Sequence, residues 1–395
     1  MLKNILFIVL IGICISSCTL DSVYEYTDIE ETEAIASDLT ENQFKNPLSN
    51  EELKIYNWIT KVQLNNGLLT STEDSDFVSL YDNSLAALAF ISVGEYARAE
   101  QIFDFFNGKI ESEFIPNGGG FFQFRDTTGN NGNTIWLGDN AWLLIALNNY
   151  KEKTGNNSYN ELSKLLENCI RSLQDEDGGL WGGFRENGQK IHKITEGIIT
   201  AFNAIEGYDD FHSGILAYLK QERWDLNDRL LVAWPENEVH YYAMDLHSLG
   251  YLIFENFPKE VLSKAERYKN TQVASFNGET ISGYCFDEDK DVIWLEGTAQ
   301  MAVAFNSANM VSEANSTLQE LQKAQMKNSS WDGAMGIPYA TNEGTSYGSS
   351  LLWDEAPITP AISSSIWYLF SVLSFNPLDF GRQKNIPAED MFWNL

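Results

Sequence analysis

Cysteine is scarce: four residues in 395, at 14, 18, 169 and 285. Only Cys169 and Cys285 lie in the body of the chain, which excludes a disulfide scaffold and favours two buried free thiols. No Cys/His cluster has the spacing of a zinc site. Positive charge is scarce too. Against 56 Asp and Glu stand 26 Lys and Arg, for a formal charge of −30. That balance repels nucleic acid and anionic lipid, whose binding proteins concentrate Lys and Arg. Apart from the first 17 residues, no apolar run is long enough to span a bilayer. Strand-like alternation is nearly missing, and helical periodicity fills most of the chain.

The first residues have their own character. One Lys precedes an apolar run from Ile5 to Ile15, the length of a secretory h-region and too short for a span. The run ends in Ile15-Ser16-Ser17-Cys18, which resembles a lipobox. Residues 1–17 are therefore expected to be a signal peptide, with Cys18 the lipidated first residue of a membrane-anchored envelope protein. Residues 18–50 are polar and acidic (Asp21, Glu25, Asp28, Glu30, Glu31, Glu33) and read as a flexible tether. Such acids after the lipidated Cys resemble the surface-export signals of Bacteroidetes lipoproteins, which implies an outer-membrane, outward-facing location.

From residue 51 to 395 the expectation is one domain. A helix at 51–64 is followed by pairs with short turns: 79–93 with 95–106, 139–153 with 159–173, 195–205 with 211–221, 243–254 with 259–268, and 295–307 with 311–324. A last helix at 361–375 has no follower, and the first has no predecessor, so the two complete a sixth pair. Acids opening the leading helices, Asp82, Asp139, Glu196, Asp245 and Glu296, recur at intervals of 57, 57, 49 and 51 residues. Periods near 50 indicate a repeat architecture, here an all-α (α/α)6 toroid of six helical hairpins. Leading helices such as NAWLLIALNN are apolar nearly all round, as inner helices should be; trailing ones such as YNELSKLLENCIRSLQ are amphipathic.

Connections between pairs are long (107–138, 174–194, 222–242, 269–294, 326–360) and must share the face where inner helices begin. They carry Gly beside aromatics, as in NGGGFFQFRD and GGLWGGF, and a further Trp in SSLLWDE. Flat rings to stack on pyranose faces, polar groups for hydroxyls and close backbone approach suit a sugar cleft. The five acids would converge there on a funnel of roughly 10–15 Å, given helix spacings of 8–10 Å. Asp is also a favoured helix cap, and acids suit the positive helix end, so capping stands beside catalysis as a reading. Glycoside hydrolysis needs two carboxyl groups, one protonated for the leaving oxygen and one to activate water or attack.

The motifs YDNSLAALAF, GDNAWLLIAL, LQDEDGGLWGG, WLEGTAQMA and GIPYAT resemble the six-hairpin glycosidase superfamily over about residues 51–377. The resemblance implies a glycoside hydrolase with an Asp or Glu acid and a second carboxylate. The catalytic candidates are Asp139 and Glu296, then Asp82, with acid and base unassigned. Trp136, Trp142, Trp294, Tyr81, Glu196, Asp245, His240, Tyr242, Trp181 and Trp353 are the candidate sugar contacts. The partner is a carbohydrate, the protein is expected to act as a monomer, and no cofactor is needed. Asp287, Glu288, Asp289 and Asp291 offer oxygen ligands for Ca²⁺ without EF-hand spacing, which favours a solvated acidic loop. Two alternatives stay open. A polysaccharide lyase would use His240, Tyr241, Tyr242 or His247 with Arg125 and Arg185. A glycan-binding lipoprotein without turnover would need only the aromatics. A terpenoid-cyclase reading of LQDEDGGLWGGF lacks any DDxD-type run.

Overall fold

Helices dominate because the inner stretches are apolar on every side and can only be buried within a ring. A computed structural model of the chain describes residues 48–394, except 74, 328–330, 349 and 353–357. The leader, Cys18, nearly all of the tether and Trp353 lie outside the described residues. Twelve helices alternate between two layers. The outer ones are α1 (Asn50–Lys61), α3 (Tyr96–Gly108), α5 (Asn160–Ser172), α7 (Asp210–Tyr218), α9 (Glu260–Lys264) and α11 (Val311–Lys323). The inner ones are α2 (Leu80–Val93), α4 (Leu137–Thr154), α6 (Thr195–Ala204), α8 (Asp245–Ile253), α10 (Leu295–Ser307) and α12 (Ile362–Val372). A one-turn α13 (Asp379–Arg382) follows them.

Each inner helix packs on the next, α2 on α4, α4 on α6, α6 on α8, α8 on α10 and α10 on α12, and α12 returns to α2. The ring is closed, an (α/α)6 toroid. In α4 every residue from Leu137 to Tyr150 is buried. In α5 only Leu162, Leu166, Cys169 and Ile170 are buried, one stripe at helical spacing that faces the ring. Each fully buried Leu or Phe of such a layer contributes about 1.5–3 kcal/mol. Helix α1 packs on α12 and makes the sixth pair. The seam is stitched by Ile362 N–H donating to the Ser71 carbonyl at 2.9 Å. Where a pair turns tightly, glycine takes a left-handed conformation, as Gly94 does at the end of α2 with φ 86°.

Two features depart from the sequence expectation. Short strands are frequent, most of two residues, and they lie in the connections between helices. The longest pair, Lys269–Val273 with Thr280–Tyr284, is an antiparallel hairpin. Its mostly polar residues carry no alternating pattern that would announce a strand. Secondly, residues 376–394 cover the far end of the ring. Asn149 and Asn203 amides donate to the Pro377 and Leu378 carbonyls at 3.1 and 3.0 Å. Lys384 reaches the carbonyls of Asn203 and Ile205 at the end of α6, where a cation suits the negative helix terminus. Phe392 and Trp393 are buried against Trp224, Phe254 and Phe257. No described helix is long and apolar enough to cross a membrane.

Candidate active site

The open end is built by a repeated two-residue device. In α2 and α4 the sequence reads Asp-Asn: Asp82-Asn83 and Asp139-Asn140. The Asn amides tie down the preceding connections. Asn83 exchanges hydrogen bonds with the backbone of Leu69 and donates to the Ser79 carbonyl. Asn140 does the same with Phe121 and the Trp136 carbonyl. In α10 Thr298 takes this part, donating to the Trp294 carbonyl and accepting from Tyr284 N–H. With the loops held this way, the acids are free to face inward.

All five acids line one cavity of about 710 Å³. None caps its helix. The capping positions are held by Ser79, Trp136, Ile194, Met244 and Trp294, and the acids sit within the first turn that follows. The N-cap reading is therefore set aside, while the place of each acid in the first turn agrees with the expected preference for the positive helix end. The sixth inner helix carries Ser363 at the corresponding turn, and its hydroxyl donates to Glu296 Oε2 at 2.7 Å.

Partners differ sharply among the five. Glu296 accepts three hydrogen bonds: from Ser363, from Tyr81 Oη at 2.6 Å and from Gln300 Nε2 at 3.2 Å. Trp367 Nε1 donates in turn to Tyr81 Oη at 2.9 Å, so α12, α2 and α10 meet in one chain of donors. Asp82 receives Tyr339 Oη at 3.4 Å and a bond from Ser71. Glu196 is held by Thr200 at 2.9 Å and by Trp142. Asp139 Oδ2 and Asp245 Oδ1 are buried without a hydrogen-bond partner.

Burial raises the pKa of every one of them, because a charged carboxylate loses its hydration there. Asp82 and Glu296 are pushed up to about 7, and Asp245 to about 8. Asp139 is raised well above the usual carboxylate range by burial, then by the charges of Glu196 and Asp82. The site thus holds carboxyl groups that carry protons near neutrality beside others steadied by donors.

Aromatic side chains form much of the remaining wall. Trp142, Trp294, Phe286, Tyr81 and Tyr339 line the interior, and Phe77 and Phe124 pair at the rim with ring centroids 4.7 Å apart. Gly297 allows Trp294 to fold back over α10: a Cβ there would lie 2.1 Å from its ring. Of the residues expected at the site, Asp82, Asp139, Glu196, Asp245, Glu296, Tyr81, Trp142 and Trp294 meet at this cavity.

Four others stand off the described wall. Trp136 precedes α4 and pairs through its backbone with Gly183. Trp181 lies under the ammonium groups of Lys190 and Lys193. His240 bonds the Tyr347 carbonyl and packs on Trp234. Tyr242 donates to Asp225 and Asp228 beneath Arg267. The lyase set is dispersed with them. Tyr241 donates to Asp225, His247 is buried against the Val261 carbonyl, and Arg125 is ion-paired with Glu113 at 2.9 Å. Arg185 is not on the wall either. In the acidic loop, Glu288 pairs with Arg267 and Asp291 accepts from Ser346. Among the described residues no three His, Cys, Asp or Glu gather as a metal-holding group.

Sequence reasoning missed Phe77, Phe124, Phe286, Tyr339, Gln300 and Ser363. The first four come from connections without a period. Gln300 stands one turn after Glu296, a spacing that could have flagged it.

No protein-family model matches the chain, and no curated protein matches it in sequence. Solved structures do match its fold. A glycosidase point variant aligns with TM-score 0.59 at 12% identity, over 84% of this chain and 98% of its own. A novel alpha-amylase from Clostridium perfringens gives 0.58 at 13%, over 83% and 99%. Cellobiose 2-epimerase from Bacillus thermoamylovorans gives 0.58 at 12%, over 82% and 98%. At such identities the similarity establishes the toroid alone.

Proposed function

We propose that this protein is a glycoside hydrolase whose active site is the cavity at the open end of the ring. One observation carries the reading: five carboxyl groups from five separate inner helices converge with aromatic rings on one cavity large enough for sugar residues. Hydrolysis requires a protonated carboxyl beside the leaving oxygen and a second, ionised one to activate water or attack the anomeric carbon. Asp139 suits the first role, since its unpartnered oxygen is free to hold and give a proton. Glu296 suits the second, since three donors orient it and favour its charge. Asp82 is the reserve candidate. Trp142, Trp294 and Phe286 offer faces for the sugar rings. Proteins of this fold include glycosidases, which accords with such a role.

A panel of polysaccharides incubated with the protein, read by reducing ends and by ultraviolet absorbance, tests the class. New reducing ends without absorbance support hydrolysis. An absorbing double bond would mean a lyase. Binding without either product would mean a glycan carrier. The same proposal puts the protein on the envelope surface through an acylated Cys18. Fatty-acid labelling that persists in Cys18→Ala would overturn that part.

A further inference from the structure

We propose that the cavity selects its saccharide by charge, taking neutral sugars and, more tightly, amino sugars, and refusing those that bear carboxylate, sulfate or phosphate. This rests on the reading of the cavity as a glycan site and names its substrate class.

Three observations carry it. First, no Lys, Arg or His stands on the described wall, while five carboxyl groups do. Secondly, the cations adjacent in sequence to wall residues are used elsewhere. Arg125, beside Phe124, is committed to Glu113. Lys193, beside Ile194, is committed to Asp175 and Asp177 at 2.8 and 2.7 Å. Thirdly, two carboxyl groups of the wall are left partly uncompensated by the protein. Asp139 and Asp245 are each only 8% exposed, and each has one oxygen without a donor.

A carboxylate or sulfate brought into this wall finds no opposite charge and faces carboxyl groups already crowded by one another. A hydroxyl donates one hydrogen bond to such an acceptor. An ammonium in its place donates up to three and adds a charge opposite to the wall's. Burial first, and then the neighbouring carboxylates, raise the proton affinity of Asp245 and Asp139, and a bound ammonium would offset both effects by favouring the ionised carboxyl. The net charge of −30 extends the bias to approach from solution.

Glucose, glucosamine and glucuronate are three probes of nearly equal shape and different charge. Their binding to the whole protein at pH 7 can be measured by ligand-observed NMR, with competition against a polysaccharide it binds. Glucosamine should bind about tenfold or more tighter than glucose, and glucuronate should be the weakest. The amine preference should shrink in Asp245→Asn and Asp139→Asn, with an unchanged far-ultraviolet circular dichroism spectrum as evidence of an intact fold, and should also shrink at high salt. Glucuronate binding as well as glucose, an amine preference unchanged in both variants, or no binding by any of the three would overturn the proposal. The outcome is separable from hydrolysis. A charge order without bond cleavage removes the enzyme and keeps the selectivity. Cleavage of a uronate-rich glycan keeps the enzyme and removes the selectivity.

Discussion

The two ends of the ring treat buried polar groups in opposite ways. At the far end the buried polar side chains include amides, and they are tied to backbone: Asn148 to the Ala204 carbonyl, Asn149 to Ile145 and Pro377, Asn203 to Leu378. A hollow of about 300 Å³ at the ends of α10 and α12 is lined by Asn, Ser and apolar residues, with no titratable side chain. At the open end the buried polar groups are carboxyls, and two of them keep an oxygen without a partner. A buried polar atom without a hydrogen bond costs about 1–3 kcal/mol. At the far end too one atom goes without, Asn203 Oδ1, but it is a neutral amide oxygen, whereas the open end leaves carboxyl oxygens unpaired. Residues 376–394 close one end, and the cavity proposed as the active site lies at the end left open.

The largest effect that would break this contrast is on catalysis. Asp139→Asn and Glu296→Gln, tested separately, should each lower reducing-sugar release by about 10²–10⁴-fold, the usual range for a general acid or base. Oligosaccharide affinity and melting temperature should change little. Retained activity in both would remove the pair. Tyr81→Phe should cost about ten- to a hundredfold. Without the Tyr81 hydroxyl, which holds the Glu296 pKa down, the limb of the pH–rate profile set by Glu296 should move to higher pH. A purely structural Tyr81 would lower the amount of folded protein and leave the profile in place.

At the other end the expected losses are of stability. Asn203→Ala breaks the amide's bond to Leu378 and should destabilise by about 1–3 kcal/mol in denaturant melts, with activity per folded molecule unchanged. The smallest effect sharpens the comparison through pH. Asp245 has a folded-state pKa of about 8, above the unfolded carboxylate value. The unfolded chain therefore gives up this proton first as pH rises, and the native state loses stability between about pH 4 and 8. Asp245→Asn should be more stable than the parent at pH 8, with the gain shrinking as pH falls and vanishing near pH 4. An equal difference at both pH values would mean that the carboxyl is not held neutral.

How far the sequence foretold this site depends on what each residue belongs to. The five acids were legible because each repeats at the same turn of an inner helix, and a ring brings such positions to one rim. Tyr81, Trp142 and Trp294 followed from their places beside those acids. Trp136 has a similar place, yet it stands before α4 begins and its side chain does not line the cavity. His240 and Tyr242 were grouped by sequence with Asp245. The connection that carries them, 219–244, puts no described residue on the wall. Tyr339, within the motif GIPYAT, and Phe286 lay in the aromatic connections without being singled out, because a loop's depth in the funnel is fixed by packing and not by periodicity. Ser363 was hidden by the same repeat that exposed the acids, since it stands where that pattern lapses.

The donors that fix Glu296 have an implication for biosynthesis. Ser363 and Trp367 lie on α12, near the C-terminal end of the described chain, whereas Tyr81 lies on α2, near its beginning. A nascent polypeptide can lay down five hairpins as it leaves the ribosome and still lack the last slat of the barrel. Until α12 slots in beside α2, the hydroxyl and the indole that steady Glu296 and Tyr81 are missing. Premature termination ahead of residue 362 would leave an unclosed shell whose acids have no fixed aim, so catalytic competence should arise late and all at once.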